Sequence, residues 1–256
     1  MRPMWSGMIS FGLVNIPVKL YTAVKSHPYE MNYLRRDDLC PIQYKRVCRR
    51  TGEEVPFEQI VRGYQFRKGD YIVLEEEDFK KAGVKKTYTI DVEVFVDEKE
   101  IDGKFLEKPY FLEPDKKAQK TYALFRQALT KSKKVGIGRF VLKDREHLVM
   151  LKPQDKVIIL NQMRFAELLK DPGELDLPGE VNIPKNQMEL AMELINKFAG
   201  TFKPREFHDT YTQTIREIVE AKKKGKPIRL EEEKIPVTQA EDILVKLKAS
   251  LETANK

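Results

Sequence analysis

The sequence predicts a mixed β and α fold: a barrel of short strands over about the first 160 residues, followed by helices. Three observations predict it. Apolar and polar residues alternate over Tyr88–Val96, which marks a half-buried strand; short apolar runs separated by turn residues surround it; and beyond a Pro and Gly cluster from Asp171 to Pro184 the apolar period becomes helical. With 41% hydrophobic and 34% charged residues, the 256-residue chain can bury a sizeable core, which excludes disorder throughout.

Strand candidates are Met8–Val14, Tyr71–Leu74, Tyr88–Val96, Val135–Leu142, Glu146–Leu151 and Val157–Leu160, with Lys143-Asp144 and Pro153-Gln154-Asp155 as turns. In Tyr88–Val96 the buried face is Tyr88, Ile90, Val92, Val94 and Val96. Pro114-Asp115 opens a helix that runs to about Leu129, with Asp115 as its N-cap and Tyr122, Phe125 and Leu129 along the core stripe. Residues 27–67 have few aliphatic side chains and many cations, and are expected to form an exposed ribbon.

Past the boundary, Met188, Met192 and Ile195 mark the stripe of a helix that Gly200 should end. Phe207, Tyr211, Ile215, Ile218 and Val219 mark a second, stopped by Lys222, Lys223 and Lys224 at its negative end and by Gly225 and Pro227. Thr238-Gln239-Ala240-Glu241 is a capping box for a last helix whose face is Ile243, Leu244, Leu247 and Leu251. That face can serve a partner or complete the protein's own core. The expected divisions are 1–180, 181–230 and 231–256.

The charge is local. The net charge is +7, yet residues 35–50 alone carry +4 and residues 131–145 carry +5, so everything else sums to −2. Concentrated cations on a near-neutral body are the footprint of phosphate binding, although a solvated surface can look the same. The candidate phosphate ligands are Arg35, Arg36, Lys45, Arg46, Arg49 and Arg62 on the ribbon, and Lys131, Lys133, Lys134, Arg139, Lys143 and Arg145 in the second block. Strand alternation sends about half of such residues away from any one surface.

Other chemistry finds little support. No phosphate-loop or dinucleotide glycine pattern occurs, and Gly136-Ile137-Gly138 lacks the third glycine. His27, His147 and His208 are scattered; Glu146 and His147 are strand neighbours that point to opposite faces, one a surface carboxylate and one a packed imidazole. Cys40 and Cys48 with His27 fall short of a tetrahedral zinc set. Asp91 and Glu93 share a strand face, as the carboxylates of a metal nuclease do, but a wet strand face gives the same pattern. No catalytic residue, metal or cofactor is predicted. The two cysteines are expected to be thiols in a reducing compartment. No apolar run approaches the roughly 20 residues of a spanning helix, and Ser6, Ser10, Asn15 and Lys19 break any secretory apolar segment. A cytosolic protein without a membrane partner is expected.

Several separated blocks then become specific. The opening Trp5-Ser6-Gly7-Met8-Ile9-Ser10-Phe11-Gly12-Leu13-Val14-Asn15-Ile16-Pro17-Val18-Lys19-Leu20-Tyr21 resembles the start of the bacterial Ku proteins. Tyr44-Lys45-Arg46-Val47-Cys48, Gly52-Glu53-Glu54-Val55-Pro56 and Ile60-Val61-Arg62-Gly63-Tyr64 resemble that family's bridge region. Lys108–Lys116 and Gly136–Leu142 with Arg145-Glu146-His147-Leu148 resemble further blocks, and the likeness runs in order over about residues 4–230. The resemblance implies a Ku-core barrel of seven strands whose long bridge arm forms a DNA-encircling ring in a homodimer, and a helical C-terminal arm that wraps the partner subunit. It implies a non-enzymatic protein that threads onto double-stranded DNA ends in the bacterial nucleoid and starts non-homologous end joining. The last helix falls where the family recruits the ATP-dependent ligase D, so Ile243, Leu244, Leu247 and Leu251 would be its docking face.

An arm of about 40 residues folded back once would give strands of about 15 residues, reaching about 50 Å. A two-fold pair of such arms presents one basic surface twice, which suits backbone contacts rather than base readout. The competing classes are a general nucleic-acid or RNA-binding protein and a metal-dependent nuclease. Few aromatics lie inside the basic blocks, Tyr44 and Phe140 chiefly, which argues against stacking on unpaired bases.

Overall fold

The computed structural model describes residues 2–25, 31–82, 88–143, 145–225 and 242–253, which form two compact units that divide after Asp171. His27, Asp144 and the Thr238–Glu241 capping box lie outside the described residues.

Seven strands close into a barrel. They are β1 (Trp5–Phe11), β2 (Val14–Thr22), β5 (Thr89–Asp97), β6 (Leu106–Pro114), β7 (Lys134–Leu142), β8 (Arg145–Gln154) and β9 (Val157–Met163), in the spatial order β1-β2-β6-β9-β8-β7-β5. All neighbours are antiparallel except β1 and β5, which pair in parallel because the arm between β2 and β5 carries the chain across. Ile9, Ile16, Leu20, Ile90, Leu112, Leu151 and Leu160 fill the interior. Strand β6 is not among the strands that the sequence predicts: Pro109 and Pro114 punctuate it like a loop, yet Pro109 sits opposite Asn161 of β9 and Pro114, the last residue of the strand, opposite Val18 of β2.

The helix α2 (Gln119–Ser132) closes onto the barrel through Tyr122, Phe125 and Leu129. Its start differs from expectation: a 3-10 turn over Lys116–Ala118 precedes it, and Asp115 contributes its carbonyl to Ala118 N–H while its side chain caps nothing. The Tyr122 hydroxyl, inside the core, donates to Leu112 O at 2.6 Å and accepts from Ile158 N–H at 2.6 Å, so one phenol ties the helix to two strands.

The predicted face of β5 breaks midway. A bulge between Val92 and Val94 inserts one residue and reverses the alternation, leaving Val94 48% exposed and turning Phe95 against Phe11 and Phe125. The bulge brings backbone against β7 so closely that a Cβ on Gly138 would sit 2.2 Å from Asp91 O, and one on Gly136 would sit 3.1 Å from Val92 Cγ1. Gly136-Ile137-Gly138 is a packing solution, not a phosphate loop.

The expected single ribbon is instead three local hairpins. The first spans Tyr33–Ile42 and turns at Leu39 (φ +57°); the second spans Arg46–Val55 and turns at Gly52 (φ +76°). The third pairs β3 (Arg62–Arg67) with β4 (Asp70–Leu74) around Gly69, and the short α1 (Glu76–Ala82) follows. Tyr71–Leu74 is therefore an arm strand, not a barrel strand. Each hairpin ends at its own turn because a positive-φ residue closes the loop locally, so strands of 15 residues do not form.

The second unit contains α3 (Lys185–Phe198), α4 (Thr210–Lys223) and α5 (Ile243–Thr253). Asp209 Oδ1 accepts Thr212 N–H at 3.0 Å to cap α4, whose Ile215 and Ile218 are half-buried while Tyr211 and Val219 are exposed. On α3 the stripe named from the sequence is the exposed one. Met188, Met192 and Ile195 face solvent in this chain, whereas Leu190, Ala191 and Leu194 are half-buried, and α3 packs on α5. A helix with two adjacent apolar stripes satisfies the same periodicity either way. Among the described residues no helix is long and apolar enough to cross a membrane.

Candidate nucleic-acid interface

The arm is nearly all surface. Between residues 31 and 74 only Cys48, Val55 and Leu74 are even half-buried, and Tyr33, Tyr44, Phe57, Tyr64 and Tyr71 are each more than 60% exposed. The stripe of aromatics is therefore larger than the two named from the basic blocks. Several of these rings hold cations or each other: Arg46 lies over Phe57 at 5.2 Å, Arg62 over Phe79 at 4.8 Å, Arg67 over Phe66 at 6.0 Å, and Tyr33 meets Tyr44 edge to face at 6.4 Å. A guanidinium resting on a ring keeps its charge and its in-plane N–H donors, which is the form suited to phosphate.

The other arm candidates divide by partner. Arg35 donates from Nε to Asp38 Oδ1 at 2.9 Å and makes a second contact with the same carboxylate; this guanidinium, with Cys40 N–H, holds the Asp38 carboxyl below the usual carboxylate range. Lys45 pairs with Glu54 across the second hairpin at 2.6 Å. Arg36 and Arg49 form no ion pair among the described residues. Arg36, Arg46, Arg49, Arg50 and Arg62 are thus arm cations that no carboxylate offsets among the described residues. Arg67 and Lys68, at the tip of the third hairpin, carry the same character; the Lys68-Gly69-Asp70 turn is their only signal in the sequence.

The second basic block does not form one patch. Lys131 ends α2, Lys133 caps it at φ +55°, and Lys134 begins β7, where it pairs with Asp97 at 3.0 Å. Lys143, at φ +53°, and Arg145 lie past the other end of β7, about 26 Å away along the strand. Between them Arg139 is clamped, its Nε 3.1 Å from Glu93 Oε1 and its Nη1 3.5 Å from Glu146 Oε2. Two carboxylates around one cation leave this spot negative.

The nuclease and zinc candidates are occupied or apart. Glu93 serves Arg139, and Asp91 accepts the Thr89 hydroxyl at 2.8 Å. His147 packs against Phe140, with ring centroids 5.8 Å apart. Cys40 and Cys48 sit on different hairpins; the Thr51 hydroxyl and the Thr51 and Arg50 N–H groups pull the Cys48 thiol below its ordinary value. Among the described residues no group of three or more His, Cys, Asp and Glu side chains could hold a metal ion.

The proposed ligase face is mostly covered. Leu251 is 7% exposed, Leu244 and Leu247 are half-buried, and Ile243 remains open.

Known proteins match this sequence. The family model described as Ku, the Ku70/Ku80 beta-barrel domain, matches residues 10–192. A protein of Opitutus terrae named Non-homologous end joining protein Ku is 41% identical over 87% of this chain and 80% of its own length. Its namesake in Coxiella burnetii is 38% identical over 100% of this chain and 96% of its own, and that of Archaeoglobus fulgidus 36% identical over 98% and 99%. Barrel, exposed arm and identity at this level along nearly the whole sequence lead to one conclusion: the chain belongs to the Ku family.

Proposed function

We propose that this chain binds double-stranded DNA ends without sequence preference as a homodimeric ring, and that it recruits and stimulates an ATP-dependent DNA ligase, ligase D, in non-homologous end joining. The relatives' shared name supports the pathway. The observation that carries the binding mode is the arm itself: about 40 residues with almost no buried side chain, lined by exposed rings and by guanidinium groups that form no ion pair among the described residues. An apolar surface of this extent on a soluble chain calls for a covering partner. A second arm related by a two-fold axis supplies one and closes a basic channel.

Within that channel Arg36, Arg46, Arg49 and Arg62 are the principal phosphate ligands. Arg35 and Lys45 join by exchanging exposed carboxylates for phosphates, an exchange that costs little because water screens an exposed ion pair. Lys131, Lys133, Lys143 and Arg145 can meet the backbone from the two ends of β7, whereas Arg139 is the weakest of the candidates. No step of bond chemistry is required of the protein.

A competition assay at fixed moderate salt tests this reading. A linear duplex should bind and a covalently closed circle of the same sequence should fail to compete. Equal competition by the circle contradicts threading and leaves an open groove on a general nucleic-acid binder.

A further inference from the structure

The face of α5 that the proposed ligase docking would use is already engaged within the same unit. Helices α3 and α5 pack on each other, Leu251 is buried, Leu244 and Leu247 are half-buried, and the half-buried stripe of α3 is Leu190, Ala191 and Leu194. The Lys197 ammonium donates to Leu251 O at 3.3 Å, at the end of α5 where helix carbonyls lack partners and cations are favoured. A single leucine stripe cannot face α3 and a partner protein at once.

We propose that α5 is a latch: its seat on α3 holds the ligase-docking face closed, and docking requires α5 to leave α3. This inference rests on the reading that α5 docks the ligase. Closure lowers apparent affinity by the fraction of molecules in which α5 is free, so anything that loosens the seat without touching α5 tightens ligase binding. The seat is suited to such an exchange. α5 has 11 residues, too short to be stable alone in water, so it takes its order from whichever surface it covers. Its closed state hides only one stripe, since Val245 remains 69% exposed.

The two sides of the contact therefore carry opposite predictions. Leu190→Ala with Leu194→Ala removes apolar surface from α3 and leaves every docking leucine in place. The full-length double variant should bind ligase D about threefold more tightly or better than the parent, with an unchanged far-ultraviolet circular dichroism spectrum as evidence of folding. Leu247→Asp, on the docking face itself, should abolish ligase binding. Hydrogen exchange should show the α5 amides opening faster in the double variant than in the parent.

The outcomes separate latch from docking. If removing residues 237–256 abolishes ligase binding but the α3 double variant binds no better than the parent, or binds worse, the latch is wrong and the docking assignment stands. If that removal leaves ligase binding intact, the docking assignment fails and the latch with it.

Discussion

A guanidinium with no carboxylate beside it and one held by two carboxylates differ at the residue scale in what they can offer a phosphate. Arg36 and Arg49 have no ion pair among the described residues, whereas Arg139 sits between Glu93 and Glu146. Alanine at Arg36 or Arg49 should weaken duplex binding equally for unrelated sequences and reduce the slope of log affinity against log salt by about 0.9 for each phosphate no longer neutralised. Arg139→Ala should leave both nearly unchanged. Salt titration of binding for the three variants checks this. In the core, Tyr122→Phe takes the shared partner from Leu112 O and Ile158 N–H, and should cost about 1–3 kcal/mol in urea unfolding. Burial also pushes the Tyr122 phenol up. A raised folded value means the neutral form carries the stabilisation, which is complete below about pH 10 and is lost as pH rises through the folded value. The phenylalanine variant should lack that alkaline loss.

At the element scale, the bulge in β5 fixes the glycines of β7. Gly138→Ala brings a methyl group onto Asp91 O, and should destabilise the barrel by about 1–3 kcal/mol or more, read as a lower thermal midpoint with linear-duplex binding retained below it. The glycines themselves are visible in the sequence, but the reason for them is not, because it depends on backbone brought together from β5. The core stripe Tyr122, Phe125 and Leu129 is legible from helical period alone, since one apolar stripe admits one packing. On α3 two stripes compete, and only the position of α5 distinguishes them. The cations of the arm are legible as charge, and so is the extended character of the segment. The rings beneath Arg46 and Arg62 are not, since Phe57 and Phe79 reach them across turns that the charge pattern does not register. The division of the arm into three hairpins is hidden for a related reason: positive φ at Leu39 is unusual for a leucine and leaves no mark in its identity.

For the whole molecule, barrel and arm have opposite characters. The barrel buries its apolar side chains and leaves none of its described side-chain polar atoms buried without a partner. The arm buries almost nothing and gathers charge and aromatic surface, the composition of a surface completed by another molecule. A ring made by two such arms has a property that no open groove shares: once the DNA ends are sealed, it cannot leave. The decisive measurement is therefore to load the protein on linear duplex at low salt, ligate the duplex into a circle, and raise the salt well above the level that strips protein from linear DNA. Protein that remains on the circle, and that is released when the circle is cut once, is the result the closed ring predicts. Loss from circle and linear duplex at the same salt concentration would contradict it.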